Sequence, residues 1–272
     1  MAMLRVVKAH AYGNDFAFLE SAEVQRTIQG SDYAPLARAI CDRHRAIGAD
    51  GLILYGYRER RATMQLFNAD GSTAEISGNG LRCLAALVVH FQSLRAGALI
   101  TVDTSAGVKT LEFLERDGQR FKFRASMGRP DEIRHGLIQL AEETIPATLL
   151  SMGNPQCVVL GPLPDPQRFQ AVGPALATHQ MFPAGTNVEF AHVEAPGVVR
   201  ILIWERGVGA TTSSGTGAAA AAVAAAAHGG ANREVDVVAP GGTQRVEWRD
   251  DGVYLTGWAE IVLEGEWLDA RT

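Results

Sequence analysis

One stretch constrains the fold more than any other, a run of nine alanines and one valine over residues 218–227. Alanine has the highest helix propensity, so this run predicts a helix. Because such a helix has no polar face, we expect it to be buried on all sides. It is preceded by Ser213-Ser214-Gly215-Thr216-Gly217. Hydroxyl and glycine residues can cap a helix and leave N–H groups free, where the positive end of the helix dipole favours an anion.

The same arrangement occurs earlier, where Ser77-Gly78-Asn79-Gly80 precedes the largely apolar segment Leu81–Val89. Either helix start alone is ordinary, but two of them with matched helices predict a duplicated domain. We therefore expect an α/β fold of the α+β type with two similar, pseudo-symmetric domains. Each would be a curved mixed sheet wrapped around its central helix. A pseudo-twofold axis would place the two helix N-termini face to face across a cleft.

The Asp117-Gly118 turn sets the expected domain boundary. The first domain would comprise residues 1–118, with 264–272 returning to it, and the second residues 119–263. Further helices are predicted over 34–41 and 166–178. Short strands separated by Gly and Asp-Gly turns close the chain, including 253–255 and 261–263.

Composition narrows the class of protein. The 272 residues are 47% hydrophobic and 20% charged, with a net charge of −5 and no basic run. Nucleic acids and anionic membranes are therefore not expected partners. The N-terminal sequence lacks a signal-peptide pattern, and no uninterrupted apolar run is long enough to span a bilayer. Three widely spaced cysteines (Cys41, Cys83 and Cys157) argue against a disulfide framework and favour a reducing cytoplasm. No CxxC or HExxH metal-binding spacing occurs.

The predicted helix starts form a site for one small carboxylate, to which both would contribute N–H groups: Gly78, Asn79, Gly215 and Thr216. Four asparagines in glycine-flanked turns at strand ends extend the site: Asn14, Asn68, Asn154 and Asn187. One such asparagine is usually a turn residue, but four favour a polar ring for a zwitterion. Glu205 would bind an ammonium group and Arg206 a second carboxylate, unless the two form a surface ion pair.

Two other classes of site are less well supported. The G-x-G-x-x-A pattern at 215–220 resembles a dinucleotide-binding fingerprint, but the preceding strand ends near Trp204 and no acidic residue follows at the expected distance. A serine nucleophile with a histidine base would use Ser77 or Ser214. Neither serine lies in a G-x-S-x-G elbow.

The motifs, in order along almost the whole chain, resemble those of the diaminopimelate epimerase family. They are GNDF at 13–16, DRHxxIGADG at 42–51, FNADGS at 67–72, SGNGxRC at 77–83, MGNP at 152–155, GTNVEF at 185–190, and ERGVG at 205–209 followed by SGTGA at 214–218. The resemblance implies a two-domain fold with a central helix in each half, and often a homodimer. It implies a cofactor-independent epimerase, with no pyridoxal phosphate, that interconverts LL- and meso-diaminopimelate in lysine and cell-wall precursor synthesis.

The resemblance also implies roles for individual residues. In the family, two cysteines act on opposite sides of the substrate α-carbon, one removing a proton and the other returning one. By motif, the α-carboxylate and amine would contact Gly78, Asn79, Gly215 and Thr216. The distal end of the substrate would contact Asn14, Asn68, Asn154, Asn187, Glu205 and Arg206.

The chain departs from the family at the catalytic positions. Ser77 and Ser214 stand where the family has its two cysteines, and Gln156 stands where a histidine commonly follows GNP. Cys83 matches a second, non-catalytic cysteine. Three interpretations are open: an engineered double Cys→Ser form, a natural serine-bearing branch, and a binding-only relative. Two other functions remain alternatives, a same-fold dehydratase or isomerase of another amino acid, which needs one base, and a non-enzymatic amino-acid binder.

Overall fold

The computed structural model describes residues 2–28, 30–74, 76–141 and 143–269. The chain folds into two compact units. Unit 1 comprises Met1–Arg124 and Trp258–Thr272, and unit 2 comprises Ala125–Gly257. Both boundaries fall inside continuous strands and not at the Asp117-Gly118 turn. Residues 270–272 of the predicted returning segment lie outside the described residues.

The described residues of unit 1 form three helices, and most of the strands of this unit lie in one continuous stretch of chain. The elements are β1 (Ala2–Ala11), β2 (Asn14–Glu20), α1 (Ser21–Thr27), α2 (Ala34–Ile40), β3 (Gly51–Arg58), β4 (Arg61–Asn68), β5 (Thr73–Ala74), α3 (Gly78–Gln92), β6 (Leu99–Thr104), β7 (Gly107–Asp117) and β8 (Arg120–Gly128), whose last four residues belong to unit 2.

The described residues of unit 2 form two helices. Its elements are β9 (Asp131–Gln139), β10 (Thr144–Ser151), β11 (Pro155–Leu160), α4 (Pro166–Ala177), β12 (Asn187–Ala195), β13 (Val198–Glu205), β14 (Gly209–Thr211), α5 (Gly215–His228), β15 (Glu234–Ala239), β16 (Gly242–Arg249) and β17 (Gly252–Asp269), whose second part belongs to unit 1.

The two units repeat one order of strand pairing. In unit 1, β1–β2, β3–β4, β4–β5 and β6–β7 are antiparallel, whereas β2–β3 and β4–β6 are parallel. In unit 2, β10–β11, β12–β13, β13–β14 and β15–β16 are antiparallel, whereas β11–β12 and β13–β15 are parallel. The repeat continues in the helices, since α3 follows β5 and α5 follows β14.

Helix α5 is the centre of unit 2. Its residues from Gly217 to Ala225 are all buried, and it contacts β10, β11, β12, β13, β15 and β16. Alanine side chains are thin, so strands can approach the helix from every direction. The all-apolar run is therefore a buried core helix, as the sequence predicts. Its hydrophobic cluster includes Ile201, Val235, Val246 and Leu255.

Helix α3 has the same place in unit 1, where it contacts β1, β2, β3, β4, β6 and β7. Its residues from Asn79 to Val89 are buried. The structure confirms the predicted α/β class with one central helix in each half. One charged side chain, Arg82, is buried within α3 with only 3% of its surface exposed.

The structure differs from the predicted elements at several places along the chain. Residues 252–269 form one strand of 18 residues instead of two short strands, because its first part pairs with β16 and its second with β1. Strands β9 and β10 and the short helix α1 were not predicted. No helix among the described residues combines the length and apolar character needed to cross a bilayer.

Candidate functional site

The first cluster lies at the start of α3 in unit 1. Ser77 is the N-cap, and its Oγ accepts a hydrogen bond of 3.1 Å from the Gly80 N–H. The Ser77 carbonyl accepts from the Leu81 N–H. Within the described part of the chain, the N–H groups of Gly78 and Asn79 have no acceptor, so they are available to an anion at the positive end of the helix.

A chain of oriented amides connects this helix start to the sheet. Arg82 Nη2 donates to Asn79 Oδ1, and Asn79 Nδ2 donates to Asn14 Oδ1 over 3.3 Å. Asn14 Nδ2 in turn donates to Asp50 Oδ2 over 2.9 Å. This chain has a cation at one end and a carboxylate at the other. The orientation of both asparagine side-chain amides is therefore fixed, whereas the orientation of a lone amide would not be.

Asp50 shares the cation Arg43 with a second carboxylate, Asp15, which also contacts Lys8. Arg43 Nη2 lies 2.7 Å from both Asp50 Oδ1 and Asp15 Oδ1, and Lys8 Nζ lies 2.9 Å from Asp15 Oδ2. Burial by itself raises the pKa of Asp15, but the hydrogen bonds from Arg43 and Lys8 outweigh it and lower that pKa to about 2. Asp15 is thus ionised throughout the physiological range and anchors the network.

Asn68 lies at the end of β4, where it pairs with Gly51. Its Nδ2 donates to Ser72 Oγ over 2.9 Å, and its backbone N–H donates to the Ser72 carbonyl. It is exposed and does not hydrogen bond to Asn14 or Asn79. The Ala69 N–H donates to the Asp50 carbonyl, so the Asn68 turn is attached to the same end of the sheet as Asn14.

The second cluster lies at the start of α5 in unit 2 and repeats the first. Ser214 is the N-cap, its Oγ accepts from the Gly217 N–H over 3.2 Å, and its carbonyl accepts from the Ala218 N–H. Thr216 Oγ1 lies 3.5 Å from the Ser214 hydroxyl. In this unit, too, no acceptor among the described residues is bound to the N–H groups of Gly215 and Thr216.

The unit 2 asparagines are also oriented by hydrogen bonds. One end of the Gln156 side-chain amide lies 2.6 Å from Asn154 Oδ1 and 3.3 Å from Asn187 Nδ2, and its other end lies 3.0 Å and 3.3 Å from the two carboxyl oxygens of Glu189. Asn187 Oδ1 accepts from the backbone N–H of Arg206 over 2.9 Å, and Asn187 Nδ2 donates to the Pro155 carbonyl over 3.4 Å. Asn187 is buried and Asn154 is half-buried. The structure therefore brings Asn154, Asn187 and Arg206 together in one unit.

Glu205 and Arg206 do not form the surface ion pair that was the alternative interpretation. Arg206 Nη1 donates to the Ala184 carbonyl over 3.0 Å instead, and its side chain is one wall of a cavity of about 340 Å³ whose lining includes Pro174, Phe182 and Trp204. Glu205 is half-buried, and that burial raises its pKa.

The three cysteines are free and buried, away from the positions of the two serines in the sequence. Burial raises the pKa of Cys41 to about 12 and also raises those of Cys83 and Cys157. A protonated, inaccessible thiol is a poor base, so none of the three substitutes for a thiol at Ser77 or Ser214. Groups of three or more histidine, cysteine or acidic side chains suited to a metal ion are not found among the described residues.

Each unit thus presents a serine-capped helix start, backbone N–H groups without an acceptor among the described residues, and asparagine amides held by hydrogen bonds. A model of the family described as "Diaminopimelate epimerase" matches residues 6–133 and 148–262. The chain belongs to the diaminopimelate epimerase family. A diaminopimelate epimerase from Desulforudis audaxviator is 40% identical, covering 98% of this chain and 100% of the relative. One from Desulfitobacterium hafniense is 36% identical, with 98% and 99% covered.

Solved structures show that the fold is shared more widely than this epimerase family. A hydroxyproline epimerase from Agrobacterium vitis, with bound trans-4-hydroxy-L-proline, matches with a TM-score of 0.68 at 15% identity, covering 100% of this chain and 93% of that one. A probable proline racemase from Agrobacterium radiobacter matches with a TM-score of 0.70 at 16% identity, covering 99% and 93%. A methylitaconate isomerase matches with a TM-score of 0.65 at 13% identity, covering 97% and 95%. At these identities the likeness concerns the fold alone.

Sequence reasoning assigned no role to six charged residues near the two helix starts: Lys8, Asp15, Arg43, Asp50, Arg82 and Glu189. Asp50 and Glu189 lie in motifs quoted above but were not given a role, and Arg82 was treated as part of an apolar helix. Arg82 and Glu189 share a signal, since each is a single charged side chain within a segment that is otherwise apolar. Charged side chains are rarely buried unless they are paired or have a functional role.

Proposed function

We propose that the chain binds diaminopimelate through residues of the two clusters. The observation that carries the proposal is the pair of serine-capped helix starts, each with two free N–H groups, in a member of this epimerase family. Gly78, Asn79, Gly215 and Thr216 would bind the α-carboxylate and amine. The distal end would be bound by the remaining residues of the clusters: Asn14, Asn68, Asn154, Asn187, Glu205 and Arg206.

We further propose that Ser77 and Ser214 occupy the proton-transfer positions and make epimerisation slow or absent. A cysteine titrates near pH 8.5, whereas a serine hydroxyl is closer to water, with a pKa of about 15.7. The difference of roughly 7 units corresponds to about 10 kcal/mol. A helix N-terminus lowers a pKa by a few units at best, so it does not close this gap.

Replacement of both serines by cysteine tests the proposal. Calorimetry should show that the wild-type chain binds meso-diaminopimelate. α-Deuterium incorporation in deuterated water should be slow in the wild type, little faster in Ser77→Cys and Ser214→Cys, and orders of magnitude faster in the double variant. Ser213→Cys is a matched control, because Ser213 is buried and adjacent to Ser214 but does not cap α5.

Three results would count against the proposal. If calorimetry detects no heat of binding with diaminopimelate, this compound is not the substrate. Wild-type exchange at an ordinary enzymatic rate, about 10 per second, would show that a thiol is unnecessary. Elimination of water from a hydroxylated amino acid, in place of α-exchange on diaminopimelate, would favour the same-fold dehydratase or isomerase of another amino acid. For that reaction, Glu205 is the candidate base because burial already raises its pKa.

A further inference from the structure

A cavity of about 340 Å³ lies in unit 2, between the C-terminal end of α4, the loop that follows it and the end of β13. This volume is within the range of small-molecule binding sites. Most of its lining is apolar and includes two aromatic residues, two prolines and an alanine: Phe182, Trp204, Pro174, Pro183 and Ala177. The cavity therefore suits a ligand with an apolar body.

Arg206 is the charged residue among the described residues that line this cavity. Its Nη1 donates to the Ala184 carbonyl over 3.0 Å, whereas its Nη2 and Nε have no acceptor within the described part of the chain. A guanidinium presents its N–H donors in a planar fork that matches the geometry of a carboxylate. The cavity thus offers an unpaired cation to an anionic ligand.

Two glycines let the walls of the cavity pack closely. Gly185 has a φ of +73°, and a Cβ there would be 3.1 Å from Arg206 Cδ and 3.2 Å from the Ala177 carbonyl oxygen. A Cβ on Gly173, in α4, would be 2.9 Å from the Trp204 ring. The stem of Arg206 and the ring of Trp204 therefore pack against the backbone at places where a side chain would not fit. This packing holds both walls in position before any ligand binds.

The charges around the cavity select against an amino acid. None of the described residues that line it is acidic, and Glu205, which precedes Arg206, does not belong to the lining. The ammonium group of an amino acid would therefore enter without a counter-charge, and burying an unpaired charge is unfavourable. A carboxylate without an amine avoids this penalty. Aromatic walls also favour an aromatic body, which can make stacked or edge-to-face contacts.

We propose that this cavity binds a small aromatic carboxylate that lacks an amine, with the carboxylate on the guanidinium of Arg206. The effect of this ligand on diaminopimelate rests on the proposed function, in which Arg206 binds the distal carboxylate of that substrate. One guanidinium does not pair fully with two carboxylates at once. The two ligands therefore weaken each other's binding, and by thermodynamic linkage they do so by the same factor.

Hydrocinnamate is the probe, because two close analogues each change one charge. Hydrocinnamamide has the same shape without the carboxylate charge, and phenylalanine is hydrocinnamate with an added α-ammonium group. Calorimetry should show that hydrocinnamate binds the wild-type protein with a Kd of about 1 mM or lower, as expected for a ligand of this size. Both analogues should bind about tenfold more weakly, because one loses the charged hydrogen bonds to Arg206 and the other brings an unpaired ammonium group.

Two results with these compounds would overturn the inference. One is equal affinity for hydrocinnamate and either analogue, and the other is no binding of hydrocinnamate at about 10 mM.

Variants and NMR locate the probe. Arg206→Ala should weaken hydrocinnamate binding by about tenfold, whereas Arg200→Ala, which removes a partner of Glu194, should leave it unchanged. The backbone amide signals of Gly185 and Gly207, which line the cavity, should shift when hydrocinnamate is added. Thermal unfolding checks that both variants are folded. Unchanged affinity in Arg206→Ala, or constant signals at both glycines, would overturn the inference.

The effect on diaminopimelate is measured separately. In the presence of saturating hydrocinnamate, the affinity for meso-diaminopimelate should fall by about tenfold. An unchanged affinity would overturn the competition for Arg206. If the protein binds hydrocinnamate at Arg206 but does not bind diaminopimelate, the cavity ligand is supported and the proposed function fails. If it binds diaminopimelate but not hydrocinnamate, the proposed function is supported and this inference fails.

Discussion

At the scale of the residue, Arg82 is the least expected charge in the molecule. It is buried in α3, its Nε has no hydrogen-bond partner among the described residues, and its guanidinium lies 5.6 Å from the centre of the Tyr12 ring. Burial lowers the pKa of this guanidinium, although arginine stays protonated in proteins. Arg82 donates a hydrogen bond to Asn79, and this bond orients the side-chain amides of Asn79 and Asn14 toward Asp50. We take this to be the role of the buried charge.

Arg82→Met tests that role. The substitution removes a buried cation without a carboxylate partner, so we expect the free energy of unfolding to change by no more than about 1–2 kcal/mol. Diaminopimelate affinity should fall about tenfold, because Asn79 and Asn14 are then free to turn over. Urea unfolding and calorimetry measure the two quantities. Arg61→Met, which removes an exposed partner of Asp103, is the control and should leave affinity unchanged. Unchanged diaminopimelate affinity in Arg82→Met would show that Arg82 has no role in ligand binding.

Arg206 allows a test with two ligands. Its guanidinium is exposed and is tethered to the Ala184 carbonyl, so it can reach a carboxylate without breaking an ion pair. Arg206→Ala should weaken diaminopimelate binding by about 1.5–3 kcal/mol, the range for a hydrogen bond to a charged group. Lysine lacks the distal carboxylate, so its weak binding should not respond to the substitution. Arg200→Ala, which removes a partner of Glu194, is the control. An equal loss for both ligands would place Arg206 away from the distal end.

At the scale of the element, the two central helices could be predicted because their composition leaves no alternative. Nine alanines and a valine form a helix in any apolar environment. An S-G-x-G sequence marks where each of the two central helices begins. Strand β17 could not be predicted as one element, because its continuity depends on two partners, β16 and β1, that are remote in sequence. Strand β9 is mostly exposed, so it lacks the alternation that identifies a half-buried strand. The site residues could be predicted as turn and cap residues, whereas the hydrogen bonds that orient them could not, because they join positions remote in sequence, such as Asn14 and Asp50.

The start of α5 gives a prediction at this scale. Gly217→Ala would place a Cβ 2.7 Å from the Glu189 carboxyl, and overpacking of this kind costs about 1–3 kcal/mol. Gly215→Ala is the matched control, because its nearest neighbour would be at 3.7 Å, and the higher helix propensity of alanine should leave stability unchanged or raised by up to about 1 kcal/mol. Thermal and urea unfolding compare the two. Equal effects would mean that Glu189 yields easily and is not held against α5.

At the scale of the whole molecule, the two units share one topology but place different polar groups beside their central helices. Unit 1 places a salt-bridge network beside its helix start, with Asp15, Asp50, Arg43 and Lys8. Unit 2 places a fully buried carboxyl, Glu189, beneath its own helix start, and half-buried Glu205 on the neighbouring strand. The pKa of Asp15 is lowered whereas those of Glu189 and Glu205 are raised, so the two units should respond to pH in opposite directions.

Linkage gives the sign for each unit. The folded-state pKa of Asp15, about 2, is below the ordinary value near 3.9, so its contribution to stability is present above pH 4 and is lost as the pH falls toward 2. The pKa values of Glu189 and Glu205 are raised above about 4.3, so their contribution is present below that pH and is lost as the pH rises through the folded-state values.

Hydrogen exchange, corrected for intrinsic rates, can follow both units in the same protein. Below pH 4, peptides of unit 1 should lose protection first, whereas above neutral pH peptides of unit 2 should do so. Asp15→Asn should flatten the acid response of unit 1, and Glu189→Gln should flatten the alkaline response of unit 2. If both units lost protection together at each extreme, they would unfold as one cooperative body, and the separate roles of the two buried networks in stability would have to be abandoned.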